Sequence, residues 1–216
     1  MPATHDKIIA NAAKAALGPL GFKRKGRSRT WLADHSWWLT VVEFQPSAWS
    51  KGSYLNVAAH WLWSNKGHIS FDFGGRIAGH VQYVTDSQFT AAAYQLAENA
   101  ANEAERLAQR FGTLSEAAEI LLEDAQSENG QPSMYPGWRV YHAGVAAALV
   151  GRTEEARKMF IGIVQSTASP GSVLHRAAER MVQLLNDPRT LREEAETSVE
   201  QQRAALRLAP LTAPPF

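Results

Sequence analysis

The sequence predicts an α+β protein: an N-terminal helix, an antiparallel β-meander of about four to five strands, and an all-helical C-terminal part. Three observations support this prediction. Short aromatic and β-branched runs alternate with Gly and Ser turns up to about residue 85. Beyond that point, alanine-rich segments repeat with helical spacing. Six of the seven tryptophans lie between Trp31 and Trp63. We therefore predict a sheet domain over 1–85, a helical region over 86–209 and a flexible tail over 210–216.

The first helix is predicted over residues 5–17, where Ile8 and Ala12 begin an apolar stripe with helical spacing. Gly18 and Pro19 end it, because neither residue continues a helix well. A basic turn follows at residues 23–29, with five Lys or Arg side chains in seven positions. Such a turn is either a solvated connection or a surface for an acidic partner.

The strands are predicted over 29–33, 36–45, 53–63 and 68–73, with a weaker candidate over 80–84. Turn residues separate them, among them Asp34-His35, Asn65-Lys66-Gly67 and Gly74-Gly75. Connections this short favour antiparallel neighbours, since parallel strands need a long crossover. The expected sheet is therefore a meander.

Helices with clear start signals follow residue 85. Thr85 with Gln88, and Thr113 with Glu116, have the spacing of a capping box, and Asp187 precedes a Pro at the first helical position. A Gly- and Pro-rich loop is predicted over 127–138. The remaining helices are predicted at 139–150, 153–166, 172–185 and 188–208.

Composition excludes several functional classes. The 216-residue chain has no cysteine, which rules out disulfides, thiol nucleophiles, iron–sulfur clusters and thiolate zinc sites. No apolar run approaches the ~18 residues of a membrane span, so we expect a cytoplasmic protein without membrane contact. There is no nucleotide-binding glycine loop, nucleophile elbow or metal-binding helix motif. We expect no cofactor, no metal and no identifiable catalytic residue.

The net charge of +1 conceals an asymmetry. Residues 1–84 carry ten basic and four acidic side chains, whereas residues 85–216 carry twelve and seventeen. Two interpretations are open: the two parts attract each other within one molecule, or the basic part faces an acidic partner.

Strand alternation places a mixed aromatic and polar set on one face of the predicted sheet. With a short loop at 65–67, His60 would lie opposite Asp72. Such a face is either a solvated or structural surface, a partner-binding surface, or a catalytic or metal site. The set is Trp37, Glu43, Gln45, Tyr54, Asn56, His60, His68 and Asp72.

The favoured function is a non-enzymatic module that binds a protein partner through this face. Trp49 would be the anchor, with Gln45, Asn56 and His60 as polar contacts and an electrostatic guide at Lys23, Arg24 and Lys25. One alternative is an enzyme using His60, His68 and Asp72. Another is nucleic-acid binding by the 23–29 turn, with Trp31, Trp37 and Trp49 stacking on bases, although nucleic acid is not the expected partner. A scaffold built on the charged last helix is a third, and the oligomeric state is open.

Several short motifs in this order resemble the domain-of-unknown-function 4304 family. They are Leu-Gly-Pro-Leu-Gly-Phe-Lys-Arg-Lys-Gly at 17–26, Thr-Trp at 30–31, Val-Glu-Phe-Gln at 42–45, the stretch around Trp49, and Leu-Asn-Val at 55–57. The resemblance covers roughly residues 5–85. It implies a helix followed by an aromatic sheet and no established activity. Some relatives look like immunity proteins that neutralise bacterial toxins by binding them, so the resemblance implies a binding role.

Overall fold

The computed structural model describes residues 4–127, 136–166 and 170–216, and it confirms the α+β class. Within these described residues, one helix is followed by five strands and then by six helices. In chain order the elements are α1 (Thr4–Leu17), β1 (Lys23–Arg24), β2 (Thr30–Asp34), β3 (Trp38–Glu43), β4 (Gly52–Trp61), β5 (Phe73–Gln82), α2 (Asp86–Arg110), α3 (Leu114–Gln126), α4 (Pro136–Leu149), α5 (Thr153–Gln165), α6 (Val173–Leu184) and α7 (Pro188–Leu206).

The strands form one antiparallel sheet in the order β1-β2-β3-β4-β5, which is the predicted meander. Trp31 of β2 pairs with Val42 of β3, and Lys23 of β1 pairs with Leu32 of β2. The two-residue β1 lies inside the predicted basic turn and was not expected as a strand. Because each strand pairs with its sequence neighbours, β1 and β5 are the two edges of the sheet.

The predicted strand over 68–73 is wrong. β4 ends at Trp61, the chain makes a 3-10 turn at Leu62–Ser64, and the last strand begins only at Phe73 and includes most of the weak 80–84 candidate. The reason is local. The Asp72 carboxylate accepts a hydrogen bond from the backbone N–H of Trp61 at 2.9 Å, so a side chain occupies a donor that a ladder would use. His60 and Asp72 consequently do not form the predicted cross-strand pair.

The two central strands are buried on both faces. In β3, Trp38, Leu39 and Val41 are at most 1% exposed, and in β4 even the polar Asn56 and His60 are buried. The predicted mixed face is therefore not a uniformly solvated surface. Only its margins reach solvent.

The helix start signals are found where the sequence predicts them. Thr113 and Glu116 form a complete capping box before α3. The Asp187 side chain accepts from Thr190 N at 3.1 Å before α7. Thr85 accepts from Gln88 N, while the Gln88 side chain accepts from Val84 N rather than closing a box. α4 begins at Pro136, inside the predicted 127–138 loop, and residues 128–135 of that loop lie outside the described part of the chain.

The chain divides into two compact units, each made of two separate stretches of the sequence. One unit consists of residues Met1–His60 and Gly74–Gln109, which hold α1, most of the sheet and α2. The other consists of Trp61–Phe73 and Arg110–Phe216. We call Trp61–Phe73 the inserted segment, because it interrupts the first unit in sequence and belongs to the second. The domain boundary at residue 85 stays a prediction.

Within the second unit, the inserted segment makes specific contacts with the C-terminal helices. Trp63 Nε1 donates to His142 Nδ1 at 3.1 Å. The Gln202 side chain accepts from Gly67 N at 2.7 Å and donates to His68 O at 3.0 Å. The terminal Phe216 ring lies 6.2 Å from the ring of Trp63. The predicted flexibility of residues 210–216 stays a prediction.

Of the helices described, none is both long enough and apolar enough to cross a membrane.

Candidate binding face of the sheet

A cluster of polar side chains lies on the predicted mixed face, within the first unit. Asn56 Nδ2 donates to Glu43 Oε2 and to Gln45 Oε1, both at 2.9 Å. Alternation along β3 and β4 explains the meeting, since all three residues occupy same-face positions on neighbouring strands or just beyond a strand end. The sequence thus predicted this grouping correctly.

Arg76, on the edge strand β5, completes the cluster. Its Nη2 donates to Gln45 Oε1 at 2.6 Å, and its Nε lies 3.4 Å from Asn56 Oδ1. The guanidinium stands 4.0 Å from the centroid of the Tyr54 ring, which is a cation–π distance. The residue as a whole remains exposed. Arg76 is therefore an exposed cation held in one orientation by two amides and a ring. We call Gln45, Tyr54, Asn56 and Arg76 the arginine cluster.

Sequence reasoning missed Arg76 because it placed a strand at 68–73 and a turn at Gly74-Gly75. With the strand beginning at Phe73 instead, Arg76 falls on the sheet, on the same face as Tyr54. His80 follows on that face, its ring 5.0 Å from that of Tyr54 and its Nε2 3.4 Å from Ser50 Oγ. The detectable signal was the spacing of Arg76 and His80, four positions apart in a strand.

Trp49 lies in the loop of residues 46–51 that joins β3 to β4, and its side chain is 95% exposed. The other tryptophans of the sheet region are buried, each at 7% exposure or less. The backbone N–H of Trp49 donates to Ser47 Oγ at 3.1 Å, and this bond gives the loop a local turn. The loop also borders a cavity of about 310 Å³, whose wall includes His5, Arg29 and Lys51. We call residues 46–51 the Trp49 loop.

The floor of that cavity is fixed by an ion pair. Arg29 is bound to Asp6 of α1 and donates from Nη1 to the backbone oxygen of Gly52 at 2.9 Å. Gly52 itself is required at the start of β4, because a β-carbon there would collide with the carbonyl oxygen of Val81. Helix α1, the Trp49 loop and the β4–β5 pair are thereby held at one end of the sheet.

Lys23, Arg24 and Lys25 are all exposed, as the predicted electrostatic guide requires. Arg24 also stabilises the turn, since its side chain donates to Ser28 O at 2.6 Å and to Arg27 O at 3.1 Å. Of the three tryptophans suggested for base stacking, Trp31 and Trp37 are 6% and 7% exposed, so only Trp49 presents a free ring.

Of the residues suggested for catalysis, His60 is fully buried in the first unit, while His68 and Asp72 belong to the second. His68 is exposed, with Nδ1 2.9 Å from Lys66 O. The side chain of Asp72 is buried, and it accepts from Lys66 Nζ at 2.7 Å and from Ser70 Oγ at 2.8 Å.

Within the second unit, His142 of α4 approaches Asp72, with its Nε2 3.5 Å from Asp72 Oδ1. Sequence reasoning missed it, because no local pattern links positions so far apart. His142 Nδ1 faces the Trp63 N–H, so the ring acts as a connector between the inserted segment and α4. Among the residues described, no group of three or more His, Cys, Asp or Glu side chains could hold a metal ion.

No curated protein and no solved structure gives a match to this chain. A family model does match, over residues 13–117, which extends past the predicted 5–85 to include α2 and the start of α3. The matched region contains the arginine cluster, the Trp49 loop and the basic turn. The model is that of the family described as domain of unknown function (DUF4304), so the N-terminal part of this chain is similar to that family over the matched residues.

Proposed function

We propose that this protein is a non-catalytic binding module that holds a partner protein through the Trp49 loop and the arginine cluster. The observation that carries the proposal is the 95% exposure of Trp49. An exposed arginine of the same sheet domain, Arg76, is already oriented by its hydrogen bond to Gln45. Tryptophan, tyrosine and arginine are the side chains that most often dominate protein–protein binding energy.

The exposed indole is a large unused source of binding energy. A tryptophan can bury roughly 150–250 Å². At about 25 cal/mol per Å², covering it with a partner would contribute about 4–6 kcal/mol before the costs of association. Folding gains almost none of this, because the side chain stays in solvent.

Arg76 supports the proposal through its restricted geometry. Fixing a long side chain on binding costs about 0.5–1.5 kcal/mol. Contacts with Gln45 and Tyr54 already impose that restriction in the free protein. We propose Gln45 and Asn56 as positioning residues rather than direct contacts, since their amides are engaged with Glu43 and Arg76. His60 is buried, so in this proposal it supports the binding face from inside the protein and does not contact the partner.

The partner surface we propose is acidic. Residues 1–84 carry six more basic than acidic side chains, and Lys23, Arg24 and Lys25 project into solvent. Such a field raises the association rate with an acidic partner and weakens with salt. The family resemblance supports one form of this function, an immunity-like role in which a toxin is neutralised by direct binding. The absence of cysteine is compatible with the cytoplasmic location that this role would need.

The test is capture of a partner from nuclease-treated native lysate, followed by affinity measurement with the purified pair. Trp49→Ala should weaken binding at least about tenfold, the equivalent of losing one hot-spot side chain. Arg76→Ala should do the same. The matched control is Tyr94→Ala, an aromatic of α2 that is 43% exposed and belongs neither to the Trp49 loop nor to the arginine cluster. Equal affinities for all three variants would contradict the proposal.

Nucleic acid is the second candidate, favoured only by the exposed Lys23, Arg24 and Lys25. Binding through phosphates would weaken steeply between low and physiological salt. Titrating the protein with single-stranded and duplex oligonucleotides decides the matter. An affinity that collapses with salt and with Lys23→Glu, but not with Trp49→Ala, would replace the protein partner by a nucleic acid.

A further inference from the structure

Strand β5 is one of the two edges of the sheet. It runs for ten residues, Phe73–Gln82, and in the parts of the chain that the structure describes no strand pairs with its outer side. Arg76, Ile77 and Gly79 are exposed, in contrast with the buried residues of β3 and β4. An exposed edge of this length is a template for pairing with another extended chain.

The backbone groups that face outward can be identified. Tyr83 N donates to Lys51 O at 3.0 Å, and the Val81 carbonyl oxygen faces Gly52, so odd-numbered residues point toward β4. At the other end of β5, a β-carbon on Gly74 would meet Val57 O and Ala58 Cα, so the register shifts by two residues along the strand and even-numbered residues still face even-numbered ones. The even-numbered residues therefore point their N–H and C=O groups to the free edge. Gln82 O confirms the direction, because it accepts from the Gln88 side chain of α2. The outward row therefore comprises Arg76, Ala78 and His80.

The two faces beside this row differ in chemistry. On one face stand Arg76, stacked on Tyr54, and His80. On the other stands Ile77, 40% exposed, between Gly75 and Gly79. A β-carbon on either glycine would meet no atom within 4 Å apart from its chain neighbours, so that face is open and flat. A strand added here would meet the Arg76 cation and the His80 imidazole on one face and apolar surface on the other.

We propose that the outer edge of β5 binds an extended acidic segment of the partner as a sixth strand, with acidic side chains facing Arg76 and His80 and apolar ones covering Ile77. This inference rests on the proposed function, because it names the backbone part of the same binding face. Main-chain hydrogen bonds to Arg76, Ala78 and His80 supply affinity, and the alternating faces supply selectivity.

A second copy of this chain is the competing occupant, and charge disfavours it. Two β5 strands paired antiparallel around Ile77 would place both Arg76 side chains on the same face of the joined sheet. Like charges on neighbouring strands are destabilising. Arg76 also attracts an acidic segment. The same side chain therefore disfavours pairing of β5 with a second copy of the chain and favours an acidic partner strand.

The first experiment uses a short acetylated and amidated peptide in which glutamate alternates with valine. The control peptides are its lysine–valine counterpart and the glutamate–valine peptide N-methylated at every second residue. In amide NMR titrations of the full chain, the glutamate peptide should shift the resonances of Arg76, Ala78 and His80, and neither control should. Equal binding of all three peptides, or no binding of the glutamate peptide, would overturn the proposal.

The matched variants are Ala78→Pro and Ala78→Val. Proline removes the outward N–H of Ala78 and leaves the β4–β5 ladder intact, because proline is tolerated where the N–H faces away from the sheet. Valine keeps that N–H. Ala78→Pro should weaken the glutamate peptide at least about tenfold, whereas Ala78→Val should bind it like the wild type. A folded Ala78→Pro protein with wild-type affinity refutes strand addition.

The outcomes separate this inference from the proposed function. A captured partner that is lost with Trp49→Ala but kept with Ala78→Pro would refute strand addition alone. Peptide binding that depends on Ala78, without any partner that depends on Trp49, would support the edge and refute the Trp49 anchor. A concentration-dependent dimer in sedimentation velocity, abolished by Ala78→Pro, would assign the edge to a second copy instead.

Discussion

Arg76 and Trp49 illustrate two ways in which a single side chain stays available for binding. Arg76 is exposed yet anchored, because Gln45 and Tyr54 hold its guanidinium. Trp49 is exposed because its loop carries it away from the core that buries the other tryptophans of the sheet region. Neither arrangement contributes much to folding. Substitutions at both positions are therefore suited to separating binding from stability.

His35 provides a residue-scale prediction about pH. Its ring stacks on Trp38 at 4.0 Å, and its Nε2 lies 2.9 Å from Thr40 Oγ1. Burial lowers the pKa of His35 below its ordinary value of 6.5, and the nearby Asp34 carboxylate partly offsets the effect. The folded state thus prefers the neutral ring, whereas the unfolded chain takes up a proton first as pH falls.

The stability that depends on neutral His35 is fully present above pH 6.5 and is lost as pH falls through the lowered pKa. We expect the free energy of unfolding of the wild type to fall over this window more steeply than that of His35→Asn. Urea denaturation at a series of pH values measures the difference. Parallel pH profiles for the two proteins would show that His35 does not carry the effect.

At the scale of elements, the sequence predicted best where a local signal defines a boundary. The Thr113 and Asp187 caps are such signals, because a cap depends on residues three positions apart. The strand over 68–73 failed although its alternation was regular. Asp72 and Ser70 use their side chains in a network with Lys66, and a periodicity argument cannot anticipate that choice.

The same contrast applies to the candidate site. Alternation alone placed Glu43, Gln45 and Asn56 together, because those residues flank one strand pair. Arg76 depended on where β5 begins, and His142 depended on a contact between distant parts of the chain. Packing between distant parts of the chain determines both the start of β5 and the contact of His142. A single sequence contains no direct signal for such packing.

The Thr113 capping box supplies an element-scale prediction. The Thr113 side chain accepts from Glu116 N at 3.2 Å, and the Glu116 carboxylate accepts from Thr113 N at 3.0 Å. Thr113→Ala removes one of these bonds and should lower the free energy of unfolding by about 1 kcal/mol. Thr113→Ser keeps the hydroxyl and should stay close to the wild type. Chemical denaturation monitored by circular dichroism tests the pair, and equal losses in both variants would exclude capping as the cause.

At the scale of the whole molecule, the boundary between the two units does not coincide with the matched family domain. Residues 13–117 contain the inserted segment, but the groups that it contacts in the second unit include His142, Gln202 and Phe216. The N-terminal domain therefore carries aromatic residues, Trp63 among them, whose burial depends on later parts of the chain.

We predict that a fragment ending at residue 126 loses cooperative unfolding, because Trp63 would then lack its neighbours His142 and Phe216. Tryptophan fluorescence during urea denaturation should show a red-shifted starting spectrum and a broad transition. Co-expression with residues 127–216 should restore the spectrum of the full chain. A fragment that unfolds with the midpoint of the full chain would contradict this prediction.

The contacts of the inserted segment also imply a delay during synthesis, between the time when this segment is made and the time when its partners are made. The Asn65 side chain donates a hydrogen bond to the side chain of Gln201, which lies 136 positions later in the chain. At 5–20 residues per second, the ribosome takes roughly 7–27 s to make that stretch. Throughout that interval Trp61 and Trp63, both buried in the finished protein, have been made while their later partners have not. For several seconds the nascent chain therefore exposes an apolar aromatic segment that can associate with other proteins. We expect chaperones to bind the nascent chain at these residues.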